Sequence, residues 1–270
     1  MMNTALQSLS CDLRRRWLAW RAGKGPESLA RALSAVQQDI PVLLVSYNNG
    51  VYVQHMTQQL RALGLCPVVL DNASTDGQTK DVLVRLSRSG DAQVVRLGYN
   101  FGHKVAFLPP FYDILPDVFS CSDPDLLLNE DMPQDFLRQL HEVAQRYRVF
   151  KAGLALDLPD DLEVIDAAYV KVKCKPFPFR RVYSVREWEA RFWRKPLDHP
   201  TLEVYAAPVD TTLAVYDKRL YDGDFFDAVR VAGAFRCLHL PWHPRVDLFD
   251  AQTRKRYLQG NRISSWLKKT

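Results

Sequence analysis

The sequence contains no apolar run approaching the roughly 18 residues that a bilayer-spanning helix needs, so no transmembrane segment is predicted. Nor does it read as opening on a secretory leader: Asp12 and Arg14–Arg16 stand near the start, with no apolar stretch and small-residue cleavage site beside them. Cysteine is scarce. Cys11, Cys66, Cys121, Cys174 and Cys237 are odd in number, scattered and without CxxC spacing. That pattern speaks against a zinc site or a disulfide framework and predicts reduced thiols in a cytoplasmic protein. Internal repeats and low-complexity segments are also missing. Apolar residues make up 47% and charged residues 25% of the 270 positions. Those proportions exclude a disordered chain and leave room for one large domain or two small ones.

The net charge of +5 is a modest excess that names no partner, but its distribution is uneven. Arg14, Arg15, Arg16 and Arg21 cluster with Trp17 and Trp20. Arg254, Lys255, Arg256, Arg262, Lys268 and Lys269 cluster with Tyr257 and Trp266. Basic residues interleaved with Trp and Leu suit the headgroup region of an anionic membrane, and equally a solvated helix face. Nucleic acid is the poorest match and is not expected.

Hydrophobic periodicity predicts two helices over 1–39, read as an N-terminal helical appendage; Leu6, Leu9, Leu13 and Trp17 share one face, and Gly23–Pro26 marks the break. A continuous apolar strand, Ile40–Ser46, then opens the main domain. A helix over Gly50–Gly64, a strand over Pro67–Asp71, a helix over Lys80–Arg88 and a strand over Gln93–Leu97 follow. Lys104–Ile114 reads as helical until Pro109–Pro110 interrupt it. Val118 and Phe119 begin the next strand, Pro133–Val149 reads as a helix with Pro in its first turn, and Lys151–Leu156 as a further strand. This alternation predicts a doubly wound, mostly parallel α/β sheet. Beyond about residue 157 the chain turns to loops rich in Pro, Arg and aromatics, among them the basic, aromatic Lys171–Arg181, followed by an apolar strand over Ala207–Tyr216. Residues 158–253 are read as the second half of the same domain, facing an acceptor, and 254–270 as a basic C-terminal helix.

In such sheets ligands bind outside the carboxyl ends of the strands. The polar residues gather there: Asn48 and Asn49 after the first strand, Asp71 after the second, Asn100 after the third, Asp123 and Asp125 after the next. Pro124 stiffens the Asp-Pro-Asp turn. Hard oxygen ligands so held suit Mg²⁺ or Mn²⁺, whose remaining positions are filled by substrate phosphates; the same residues would also serve an acidic surface turn. Asp71-Asn-Ala-Ser-Thr-Asp-Gly77 is either a hydrogen-bonded loop or a surround for a base and ribose. Asp210, an acid inside the apolar strand, is either the general base, its pKa raised by burial, or a strand-edge Asp bonded to Thr211 or Thr212. Asp222, Asp224 and Asp227 are weaker candidates in a Gly-containing turn.

Val-Ser-Tyr-Asn-Asn (45–49), Asp-Asn-Ala-Ser-Thr-Asp-Gly (71–77), Gly-Tyr-Asn-Phe-Gly-His-Lys (98–104) and Ser-Asp-Pro-Asp (122–125) together resemble the nucleotide-sugar half of the family 2 glycosyltransferases, over residues 40–157. The resemblance implies the GT-A (Rossmann-like) fold. It implies a nucleotide-sugar site using Ser46, Tyr47, Asn49, Asp71, Ser74, Asp76, Asn100, Lys104 and Asp123, with Asp71 on the base and Asp123 on the ribose or the metal. It implies that Asp125 meets the metal-bound diphosphate and that His239 adds a metal or phosphate contact, with Trp242 placed to pack on a sugar. Gly102-His-Lys-Val-Ala106 departs from the family's usual Gly-x-Ala-x-x-Asn, and the Glu-Asp pair common in its second half is not evident.

The reading is therefore a cytoplasmic GT-A glycosyltransferase, peripheral at the inner face of a membrane. It would use Mn²⁺ or Mg²⁺ and a UDP-sugar to extend a glycan or lipid-linked saccharide in bacterial surface polysaccharide synthesis, inversion being favoured over retention. A nucleotidyltransferase is the alternative enzyme, but Tyr47-Asn48-Asn49-Gly50 lacks the positive charge its phosphate loop carries. A non-catalytic glycan- or nucleotide-binding module would not need both acids of the Asp-Pro-Asp turn.

Overall fold

The structure is a computed structural model that describes residues 2–165, 168–173 and 179–260. Two helices come first, α1 (Met2–Ala22) and α2 (Gly25–Val36). Between them Gly23 takes φ +50°, a conformation glycine adopts without strain, and Pro26 sits in the first turn of α2. There follow β1 (Val42–Ser46), α3 (Gly50–Ala62), β2 (Val68–Asp71), α4 (Gly77–Ser89), β3 (Gln93–Arg96), α5 (Pro109–Tyr112) and β4 (Val118–Ser122). Then come β5 (Leu126–Leu128), α6 (Phe136–Tyr147), β6 (Lys151–Leu156), β7 (Ala168–Lys173), β8 (Phe179–Ser184) and α7 (Val185–Glu189). The rest is β9 (Pro196–Leu197), β10 (Val204–Ala206), β11 (Ala214–Asp217), β12 (Ala228–His239) and α8 (Ala251–Gly260).

The fold is α/β, with a mostly parallel central sheet flanked by helices, as the apolar runs predict. Its order is β3-β2-β1-β4-β11-β6-β12-β10-β9, with β5 added to the far end of β12. Strands β1 to β4 are mutually parallel, and β6 and β12 run parallel to each other; β11 enters antiparallel between β4 and β6. The chain leaves β1 on one side for β2 and β3 and returns on the other as β4, so the order reverses between β1 and β4. That is the topological switch point, and the Asp-Pro-Asp turn leaves the sheet beside it.

Both faces are buried. On one, α3, α4 and α6 contribute Val53, Met56, Leu60, Leu83, Phe136 and Leu140; on the other, Leu29 and Ala32 of α2 and Phe111 of α5 meet Leu43, Val45, Leu70 and Phe119. At about 25 cal/mol per Å² of apolar surface, these two layers are the dominant stabilising contribution. Gly50 lets α3 approach α4: a Cβ there would stand 2.6 Å from the Thr79 Cα, and its N–H donates to Thr79 Oγ1 at 2.8 Å.

Three local expectations are corrected. Pro109 and Pro110 start α5 rather than interrupt a helix, because a helix's first turn needs no N–H partners there. Pro133 lies ahead of α6, which begins at Phe136. Ala207–Tyr216 is not one strand: only Ala214–Asp217 pairs, and the apolar residues before it are buried as loop. Cys174 and the middle of the basic, aromatic Lys171–Arg181 lie outside the described residues, as do the basic residues beyond 260 and the Cys11 side chain. Cys66, Cys121 and Cys237 are free thiols.

Asp217 closes β11 with its carboxylate buried. Arg219 grips both oxygens, Nε to Oδ1 at 2.8 Å and Nη2 to Oδ2 at 2.6 Å, and His141 Nε2 of α6 lies 3.0 Å from Oδ2. The Arg219 bonds first, and His141 after burial's opposing effect, hold the carboxyl down at about 2. Its folded pKa is therefore below the unfolded value. The stabilisation is complete above pH 3.8 and is lost as the pH falls towards about 2. Asp217→Asn is expected to cost about 2 kcal/mol at pH 7 in urea unfolding, with the two proteins converging in acid. An unchanged gap at pH 2 would assign the loss to packing.

Candidate functional site

The loops that leave β1 and β2 are locked to each other. Asn48, at φ +52°, accepts the Thr75 N–H at 2.7 Å and the Asp76 N–H at 3.2 Å through Oδ1, and donates Nδ2–H to Thr75 Oγ1 at 3.0 Å. Its own N–H donates to Ser74 Oγ at 3.0 Å. Ser46 Oγ donates to Asn49 Oδ1 at 2.8 Å, which also receives the Tyr47 N–H at 3.1 Å. Asp71 Oδ1 accepts the Ser74 N–H at 3.0 Å, and Asp76 caps α4 by accepting the Thr79 N–H at 2.8 Å.

Of the residues expected to meet a nucleotide, Ser46, Asn49, Ser74 and Asp76 thus engage in shaping the loops. The Tyr47 ring is more exposed, and Asp71 lies buried at the end of β2. Asn72 is a residue that sequence reasoning passed over. It is buried, accepts the Phe101 N–H at 3.2 Å and donates to Gly102 O at 3.0 Å, tying the β2 loop to the β3 loop. Asn100 closes the latter by accepting the Gly102 N–H at 2.9 Å.

The acidic turn sits across the switch point. The Asp123 N–H donates to Thr211 O at 2.9 Å. Burial, and then the neighbouring Asp125 carboxylate, push the Asp123 carboxyl well above the usual carboxylate range. Asp125 is 6% exposed. Its Oδ2 lies 3.3 Å from His239 Nε2, while its buried Oδ1 has no hydrogen-bond partner. The Leu240 N–H donates to Asp125 O at 2.9 Å, pinning the end of β12 to the turn. Gln59 of α3, also unforeseen, grips both sides of β5: Nε2 donates to Leu126 O at 3.0 Å and Oε1 accepts the Leu128 N–H at 2.7 Å. His239 ends β12, and its ring lies 4.5 Å from that of Trp242. Burial lowers the pKa of His243, which favours a neutral ring.

Two carboxylates at one turn, one with an orphaned oxygen and the other burdened as an anion, leave the site short of positive charge. That donor set fits a hard divalent cation. Among the described residues no group of three or more acidic, His or Cys side chains is placed to hold a metal ion together, so the structure does not gather Asp123, Asp125 and His239 into one ligand set.

Asp210 departs from expectation. It lies in the loop before β11 with its side chain 63% exposed, so the burial predicted to raise its pKa is missing; instead Lys104 Nζ stands 3.3 Å from its Oδ1. Lys104 also stacks over Phe225 at 4.1 Å, and the same ring carries the Lys151 ammonium at 3.7 Å. Lys151 is fully buried without a hydrogen-bond partner, and burial pushes it down to about 7.

Farther out, Trp17, Leu13 and Trp20 of α1 are exposed, the last at 71%, and Arg21 stacks on Trp17, Trp20 and Tyr99. At the other end Arg254 of α8 turns inward: it pairs with buried Asp247 at 3.0 Å and donates to Pro241 O. Tyr52 donates to the other Asp247 oxygen at 2.5 Å, and Phe249 and Tyr257 pack on its ring. No helix among the described residues is long and apolar enough to cross a membrane.

No protein-family model matches the chain, and no curated protein matches it. Similar solved structures include a mannosyltransferase, PcManGT from Pyrobaculum calidifontis, in complex with GDP-Man and Mn²⁺. It is 16% identical with a TM-score of 0.43, over 84% of this chain and 68% of that one. TarS of S. aureus is 15% identical with a TM-score of 0.32, over 50% of this chain and 24% of that one. TarS 1–349 is 13% identical with a TM-score of 0.31, over 59% and 50%. The chain thus spans a quarter to a half of the TarS chains.

Proposed function

We propose that the chain is a metal-dependent GT-A glycosyltransferase of the family 2 type, moving a sugar from a UDP-sugar to a hydroxyl of a glycan or lipid-linked saccharide. The observation that carries this reading is the Asp123–Asp125 turn at the switch point, with a buried carboxylate oxygen left unpaired. Asp123 and Asp125 would hold Mn²⁺ or Mg²⁺, with His239 beside Asp125 as a phosphate contact, and the ion would supply charge stabilisation to the leaving nucleoside diphosphate.

The chain's own residues supply the rest. Asp71 accepts an N–H of the base within a loop that Asn48 and Ser74 keep rigid, and Asn72 and Asn100 shape the opposite wall. Lys104 offers a positive charge to a donor phosphate, leaving its partner Asp210 to accept the proton of the attacking hydroxyl in an inverting transfer. Residues 40–157 serve the donor and 158–253 the acceptor, after the helices of 1–39 and before the basic segment 254–270. The exposed Trp and Arg side chains of α1 suit the headgroup layer at the inner face of a bacterial membrane, where surface polysaccharide is built.

Turnover decides the reading. Purified protein offered UDP-sugars with Mn²⁺ should release UDP, slowly to water and faster once acceptor is present, and EDTA should stop it. The anomeric configuration of the product distinguishes inversion from retention, and Asp210→Asn should lower kcat by about 100-fold or more if it is the base. Release of pyrophosphate from a nucleoside triphosphate would point instead to a nucleotidyltransferase.

A further inference from the structure

A groove of about 490 Å³ opens at the carboxyl end of β6, lined by Asp157, Asp160, Arg186, Trp193, Glu203 and Arg236. Its position follows from the register. Asp157 leaves the carboxyl end of β6 and donates its N–H to Cys237 O at 2.8 Å; Arg236 precedes Cys237 on β12, and His239 stands two residues beyond it. The groove therefore shares β12 with His239, the residue at that strand's end that touches Asp125. Its volume falls within the range of about 300–1,000 Å³ usual for small-molecule sites.

The lining is unusual for a surface ion-pair network. Arg236 reaches Glu203 at 3.3 Å and Asp157 at 3.8 Å, both longer than charge-assisted hydrogen bonds of good geometry, and its Nε is buried with no hydrogen-bond partner. Arg236 thus gives Glu203 one long hydrogen bond, stands off Asp157, and keeps its Nε–H without an acceptor. The Trp193 ring completes the wall: it meets Tyr205 edge-on at 5.2 Å, and the Arg236 guanidinium lies 5.3 Å from its centre. Tyr205 donates to Glu203 Oε1 at 2.5 Å, fixing that carboxylate, and Arg186 is anchored by the carbonyls of Leu158, Pro159 and Leu162.

An aromatic face beside fixed planar donors and acceptors matches a pyranose. The ring's axial C–H face is apolar, and its vicinal hydroxyls each donate and accept. The charges set a limit on which sugars fit: three carboxylates face two guanidinium groups, so the groove is net acidic and a phosphate or carboxylate substituent would be repelled. Resting on the glycosyltransferase reading, we infer that this groove is an acceptor subsite for an uncharged saccharide, seated on Trp193 with its hydroxyls between Asp157, Glu203 and Arg236.

The test is saturation-transfer NMR on the full chain with methyl glucoside, methyl galactoside, methyl N-acetylglucosaminide and cellobiose, with glucuronate as the charged probe. UDP binding in Mn²⁺ is measured alongside. At least one neutral saccharide should give transfer to the wild type, at least about tenfold weaker in Trp193→Ala, recovered in Trp193→Phe and weakened in Glu203→Gln, with UDP affinity unchanged in all. Absence of transfer from every neutral saccharide, equal transfer in Trp193→Ala and Glu203→Gln, or preference for glucuronate would overturn the inference. Trp193-dependent saccharide binding by a chain that never binds UDP would uphold the groove and remove the glycosyltransferase reading.

Discussion

Asp125→Ala is expected to abolish metal-dependent nucleotide binding, weakening UDP in Mn²⁺ by about 100-fold or more, equivalent to about 3 kcal/mol. The wild type should bind UDP in Mn²⁺ and lose it in EDTA; the variant should behave as the wild type does in EDTA. The argument is electrostatic. The Asp125 oxygen without a hydrogen-bond partner, and the Asp123 carboxyl pushed well up by burial and then by Asp125, mark a turn where carrying two ionised acids is costly. A buried acceptor left unpaired costs about 1–3 kcal/mol, more when charged. The cost is retained here and recovered only when a cation enters. The fold does not depend on the side chain, because the Leu240 N–H bonds to the Asp125 backbone carbonyl. Asp125→Ala should thus unfold at the same or a higher denaturant concentration while losing the ligand. His239→Ala, removing the ring nitrogen 3.3 Å from Asp125, should cost about tenfold in the same titration. UDP binding that survives both EDTA and Asp125→Ala would leave the acidic turn without a role.

Much of this site is legible in the sequence because its parts lie at the ends of strands that announce themselves. Val42–Ser46, Val68–Asp71 and Lys151–Leu156 are apolar runs buried on both faces, and a run of that kind has few alternatives to a central strand. Once these strands are parallel, their carboxyl ends share an edge, and Asp71, Asp123 and Asp125 follow. What could not be read is set by partners far along the chain. Ala207 and Val209 are buried in loop, so apolarity there reports burial and not a ladder, and Asp210 emerges exposed where a strand would have hidden it. Gln59 looks like any polar residue of a surface helix until β5, 67 residues later, presents its two backbone groups. Likewise, Arg230 on β12 finds Glu189 at 2.6 Å, a buried pair 41 residues apart that no local pattern signals.

Lys151 is the sharpest such case, and its replacement should change stability more than any other single substitution considered. At the first position of β6 a lysine reads as the solvated start of a strand. In the fold it is fully buried, with no hydrogen-bond partner and its ammonium 3.7 Å from the Phe225 ring centre. Burial pulls it down to about 7; Asp210 opposes this, Lys104 reinforces it, and Cys121 and Asp224 add weaker opposition. The folded pKa lies below the unfolded 10.5, so between about 7 and 10.5 the unfolded chain binds a proton that the folded chain does not. Stability must then rise with pH across that window. The burden is complete below about 7 and gone above 10.5. Lys151→Met replaces the stem with an unbranched apolar chain one atom shorter and removes the charge. It should stabilise the fold by about 2–4 kcal/mol at pH 7, an advantage that shrinks as the pH approaches 10. Guanidinium unfolding of both proteins at pH 7, 8.5 and 10 reads the effect directly. A variant that is less stable at pH 7 and keeps the wild-type slope would mean that the ring and the neighbouring carboxylates compensate the ammonium in full, and that Lys151 is an ordinary buried cation.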